Sequence, residues 1–469
     1  LWREKNADTI SKYAYLLDFF EDESWLDQVV QIVLRRRDLG EEGRVAFLAA
    51  LEGSGVDVTS PLFSRLFPTG GGPLAKTLPA LLDRGDEGVI SFVEDFLHRS
   101  PEGRSALIDE LPSVTDPRVL SLMEILYGVE DASVKRELIA TLGRVRCGGA
   151  VRLLERIARR EEEEFSALTA RSLRRLYFLG VKATGEEEAA RVLPFHDACA
   201  SPPDSAGYQV VWLSRPIDNG SIVAVYFQLH DETGINAVWG TSSLTPGECG
   251  THATALAGEE GTMPVAPAYA LRLVRDALHR SREEERFLPA EFYVWRRYFD
   301  ETELAPLACA PSLPDGEDEL AVAAWHGHSW ELLLEDDYFV GWIMANHRVY
   351  DLAEEWLGLE KKTADAELTQ VMDAFLKRAC TELLEPEMER LQGRLVRMTD
   401  FMTQTGRDAD VVEKTRAVAR SLALPRAAGS HHPFLRRYAL DSLEAARDAL
   451  NEGYDVRRHY DDGDDAEWD

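Results

Sequence analysis

The chain has 469 residues, 45% hydrophobic and 9% aromatic, which is enough apolar matter for two or three cored domains and excludes a wholly disordered polymer. A formal net charge of −31 argues against nucleic acid as a partner, because phosphate backbones are held largely by Lys and Arg displacing counterions. The longest apolar runs, such as SIVAVYFQL, fall far short of the roughly 20 residues that cross a bilayer, so no membrane partner is expected.

Five cysteines, Cys147, Cys199, Cys249, Cys309 and Cys380, are odd in number and scattered, unlike a disulfide framework, and point to a reducing cytoplasm. The acidic surface serves solubility and would attract a basic protein partner.

From Leu1 to about residue 185 the pattern is helix, short turn, helix, with apolar residues three and four apart, as in VISFVEDFL and SVKRELIATL. Segments beginning at Asp86, Asp116 and Cys147 resemble one another, and Leu111, Leu142 and Leu173 recur in the intervening helices, a period of about 31 residues. The stretch PTGGGPLAKT hints at a phosphate loop, but Ala75 stands where the glycine before Lys76 should be and no strand precedes it.

The unit DASVKRELIATLGRVRCGGAVRLLERIARR, Asp131 to Arg160, resembles a HEAT-type helical repeat of the short bacterial kind, through Val134-Lys135-Arg136, Leu142, Gly143, Val145 and the Ala150, Leu153, Leu154 helix. Asp116 to Tyr127 resembles it too; Gly148-Gly149 departs from the usual Asp-Pro punctuation. The resemblance implies an α-solenoid, since one helix pair cannot bury its apolar stripe alone and stacked pairs can. It implies no activity, because such repeats serve many functions.

Around Gly180 turn formers and an acidic run suggest a linker. Three strand-like runs follow, YQVVWLSR, SIVAVYFQLH and INAVWG, separated by PIDNG and DETG, and predict an antiparallel meander. Helices after Pro267 and Pro289 complete an α+β module over residues 186–312. Residues 313–460 read as a helical domain, and 461–469 as an acidic disordered tail. The expected fold class is mainly α: a HEAT-like α-solenoid over 1–185, a small α+β module and a C-terminal helical domain.

Four groups of residues bear on chemistry. His230-Asp231-Glu232 could pass for a catalytic triplet, but its place between two strands favours a turn with solvated carboxylates. His196 and Cys199, with Cys249 and His252, form mirror H-x-x-C and C-x-x-H pairs that could supply a tetrahedral zinc, although neither spacing is a common zinc-knuckle spacing. His326-Gly327-His328 sits among aromatics ahead of an acidic helix start, where a structural role is the ordinary one. Trp295, Arg296, Arg297 and Tyr298 could anchor a partner, the plainer reading being inward aromatics and arginines that answer the protein's own carboxylates.

No nucleophile elbow, metalloprotease helix, C-x-x-C or dinucleotide fingerprint is present. The sequence therefore favours a non-enzymatic scaffold that binds a protein through its helical repeats, with no cofactor. The alternative is a metal-dependent or acid-base enzyme, zinc being the metal, with a pocket near His196, Cys199, His230, Cys249 and His252.

Overall fold

The computed structural model describes residues 25–36, 73–159, 163–183, 193–217, 220–309, 311–312, 329–362, 365–422 and 432–457, together with Thr9, Lys12, Tyr13, Phe47 and Leu51. His326, His328 and the acidic tail lie outside the described residues. Described residues are mainly helical, with one small antiparallel sheet. The chain divides into two compact units: Leu1–Ala189 with Ala290–Arg297, and Ala190–Pro289 with Tyr298–Asp469.

The first unit contains α1 (Leu26–Arg35), α2 (Pro73–Leu82), α3 (Asp86–His98), α4 (Pro101–Glu110), α5 (Val119–Tyr127), α6 (Ala132–Leu142), α7 (Gly148–Arg159) and α8 (Glu163–Phe178). Lys76 and Thr77 sit inside α2, and the glycines before it lie outside the described residues. Helix starts are marked by side-chain caps: Ser100 accepts from the Gly103 amide ahead of α4, and Asp131 from Ser133 and Val134 ahead of α6.

Helices pack with their next-but-one neighbours. α4 lies on α6 and α6 on α8, while α5 lies on α7. Apolar residues at helical spacing meet in between, with Ile108, Leu111, Leu122, Leu126, Leu138, Leu142, Val151 and Leu154 almost wholly buried. The recurring leucine slips in the last pair, where Leu173 is only half-buried and Leu176 takes the interior place. The helix Ala290–Trp295, here called α11, belongs to this unit and packs on α3 and α5.

The second unit is built on a five-stranded antiparallel sheet. It runs β1 (Asp197–Ala200), β2 (Tyr208–Pro216), β3 (Ile222–His230), β4 (Gly234–Leu244), α9 (Pro246–Glu259), β5 (Met263–Pro264) and α10 (Pro267–Glu283). The spatial order is β4-β3-β2-β1-β5. The expected meander is present as β2, β3 and β4, while β1 arises inside the stretch read as a linker, where DACA is too short to show a period. Helices α12 (His347–Lys362), α13 (Asp365–Leu384), α14 (Met388–Thr405), α15 (Ala409–Leu422) and α16 (Pro433–Glu452) complete the unit. Phe339, Phe401, Phe434 and Leu443 are buried at their core.

Candidate functional site

Polar side chains converge where α10 and α14 meet the turn between β3 and β4. On α10 the residues Tyr269, Arg272, Asp276 and Arg280 follow one another at three- and four-residue steps, with Leu273 and Ala277 alongside them, so they share a face. On α14 the same spacing aligns Arg390, Arg394 and Arg397, with Asp400 one turn on. Between them stands the hairpin tip carrying Asp231.

The tip is a turn, as its position between strands suggests, and Gly234 takes φ +88 to close it. His230 braces it: Nδ1 accepts from the amides of Glu232 and Thr233, each at 3.3 Å, and the ring lies 4.8 Å from that of Tyr208. Asp231 departs from the expected solvated carboxylate. Its side chain is 8% exposed and is gripped by Arg394, with Nε at 3.0 Å and Nη2 at 3.3 Å. Distant helices supply the cover, which a reading of turn chemistry alone does not see.

Gly207 completes the clasp. It takes φ +100 and its carbonyl accepts the Asp231 amide at 3.0 Å, while a Cβ there would fall 2.1 Å from Asp231 Oδ1. Only glycine fits on both counts.

The remaining charges pair along α10 and between α10 and α14. Arg280 bonds Asp276 and donates to the Asp231 carbonyl at 2.7 Å, and Arg272 bonds Asp400 while lying 4.9 Å over the Tyr269 ring. Asp276 also accepts the Cys309 amide at 2.9 Å. Arg397 approaches Asp231 at 3.5 Å. Burial first, and then Arg280, hold its guanidinium below the ordinary arginine value, with Asp231 and Asp276 pulling the other way. Burial, ahead of the nearby Asp400, raises the Tyr269 phenol far above its usual value. The cleft, partly open to solvent, has a volume of about 30 Å³, room for two waters at 10–15 Å³ apiece. That is far below the roughly 300 Å³ at which pockets for organic ligands begin.

The proposed zinc residues lie elsewhere on the sheet. A complete capping box at Thr245 and Glu248 starts α9 and turns Cys249, Ala253 and Leu256 inward at helical spacing. Cys199 and Cys249 join one apolar cluster with Trp212, Ala224 and Tyr226. His252 reaches the Tyr226 hydroxyl at 3.3 Å, whereas His196 is half-exposed beside Asp197 at 3.7 Å. His230 is four residues further along β3 than Tyr226, about 13 Å at the usual rise, so the five residues of the enzyme reading do not meet at one point. Among the described residues no three His, Cys, Asp or Glu side chains are grouped to hold a metal ion. Burial, ahead of nearby Asp197, pushes the Cys199 thiol up to about 11, and burial raises Cys249 as well.

At the proposed partner anchor, Trp295 is buried with Phe292, Tyr293 and Val294. Arg296 donates to the Gly128 carbonyl at 2.9 Å, and Arg297 pairs with Asp86 at 2.5 Å. Tyr298 is half-buried, its carbonyl accepting from Arg215 at 2.8 Å. Sequence reasoning passed over the α10 and α14 stripes because Arg272, Asp276 and Arg280 look like an ordinary solvated i, i+4 ladder. The only signal was that the charges share their stripe with Leu273 and Ala277.

No protein-family model matches the chain, and no curated protein or solved structure is significantly similar to it.

Proposed function

We propose that the protein is a non-enzymatic scaffold that binds another protein through stacked helix pairs of HEAT-like form in its first unit. The observation that carries this reading is a set of ion pairs between next-but-one helices or their caps. Arg144 pairs with Asp109, Arg156 with Glu124, Arg136 with Glu164 and Arg104 with Asp131, at sequence separations of 35, 32, 28 and 27 residues. These separations scatter around the period of about 31 residues seen in the sequence. Most such pairs are exposed and add little stability. Their value is geometric, since a similar displacement from each hairpin to the next is what builds an extended binding face.

The row α4, α6, α8 is the face to test, because α11 already packs on α3 and α5 of the other row. The full chain carrying Glu102→Lys, Glu137→Lys and Arg171→Glu, which leaves those four ion pairs intact, should retain its helical circular dichroism and lose the protein partners captured by wild type. Capture of the same partners by a folded triple variant would remove this face from the reading.

A further inference from the structure

β4 is an outer strand of the second unit's sheet, and among the described residues nothing pairs with its outer edge between Ala237 and Thr241. Its register with β3 shifts near both ends and is regular over that stretch, while the Ile235 amide at its start is already held by Ser281 Oγ at 2.9 Å. Alternate residues of an antiparallel strand aim N–H and C=O away from the neighbour, so the stretch offers a ladder to another chain. Proteins ordinarily guard such an edge with charge or proline. β4 has neither: Thr233 to Gly247 contain no Asp, Glu, Lys, Arg or His, in a chain of which 29% is charged.

A row of side chains leads to this edge. Cys199, Trp212, Tyr226 and Trp239 are register partners across β1 to β4 and so share one face. Burial falls away along the row: Trp212 is fully buried, Tyr226 is 5% exposed, and Trp239, stacked on Tyr226 at 5.5 Å, is 42% exposed. The row ends on a tryptophan half in solvent. The helix α9, which packs on β3 and β4, carries Glu248 and Glu259 and no Lys or Arg.

We propose that β4 takes up an extended, basic segment of a partner protein as a sixth strand, with backbone bonds along Ala237 to Thr241 and an Arg or Lys of the segment lying on Trp239. Strand addition draws its affinity from main-chain bonds and its preference from the alternate side chains. Charge selects the occupant, because a second copy of this chain would bring another −31 to the edge whereas a basic segment answers it. Tryptophan is also the best of the aromatic faces for a cation. This edge is separate from the face proposed for the first unit, and either can fail without the other.

The test is fluorescence anisotropy of a labelled, end-blocked heptapeptide alternating Arg with Val, titrated with the full-length protein at physiological ionic strength. Binding should be saturable, and at least tenfold tighter than that of the same peptide with Glu in place of Arg. Methylating every backbone nitrogen of the Arg peptide keeps its charge and removes its ladder donors, and should weaken binding at least tenfold. Trp239→Ala should weaken it about two- to fivefold, the loss of one exposed cation–π contact, and Trp239→Lys should abolish it by restoring a guarding charge. No binding, equal binding of the methylated or the Glu peptide, or undiminished binding by Trp239→Lys would each overturn the proposal. So would sedimentation showing a wild-type dimer that Trp239→Lys dissociates, which would give the edge to a second copy. If the variants fail to fold, the comparison of the three peptides on wild type decides it.

Discussion

His432 offers a sharp test of the physics of the helical part, because it is fully buried and holds two hydrogen bonds that fix its neutral form. It caps α16: Nδ1 accepts from the Leu435 amide at 3.4 Å, which places the ring proton on Nε2, 2.8 Å from Ser421 Oγ. Ser421 spends its own proton on the Val418 carbonyl at 2.6 Å, so it accepts from the imidazole. Burial pushes the His432 pKa down to about 4 from an ordinary 6.5, and protonating Nδ1 would also destroy the cap. The unfolded chain therefore binds a proton between pH 6.5 and about 4 that the folded chain refuses, and stability must fall as pH falls through this window. Each pH unit well inside it corresponds to about 1.4 kcal/mol. Urea denaturation of wild type and His432→Asn at pH 7.5 and 5.5 isolates the effect, since Asn keeps a capping acceptor without titrating. The variant should be less stable at pH 7.5, and its deficit should shrink by about 1.4 kcal/mol at pH 5.5. A deficit that stays constant or widens on acidification refutes the assignment of a neutral, buried imidazole.

Two further substitutions probe the two units. Gly207→Ala combines a strained positive φ with a Cβ driven into the Asp231 carboxylate, and should destabilise the second unit by about 3 kcal/mol or more in chemical denaturation; a loss under 1 kcal/mol would contradict the clasp around Asp231. Asp131→Ala removes both the cap of α6 and the ion pair to Arg104, and should cost about 2 kcal/mol, whereas Asp131→Asn keeps the cap and should cost about half of that; equal losses would show that the cap contributes nothing.

The helices were legible because their signal is local. Apolar spacing of three and four residues, Asp before a first turn, and proline at first helical positions all act within a few residues of where they are read, as at Asp131 and Pro267. The meander was legible for the same reason, since alternation and the DETG turn lie along β2 to β4. β1 was not, because four residues in a polar stretch carry no period and form a strand only when β2 and β5 offer hydrogen bonds on either side.

The cleft lay still further from view. Its charges come from Asp231 at a hairpin tip and from helices about 40 and 160 residues downstream, and a carboxylate in a turn reads the same whether water or Arg394 surrounds it. Residue type and spacing thus determined which segments are helix or strand and that no familiar catalytic motif is present. Burial was decided by the tertiary structure alone, because the dielectric around Asp231, Arg397 or His432 depends on what distant segments place there and not on the neighbours each has along the chain.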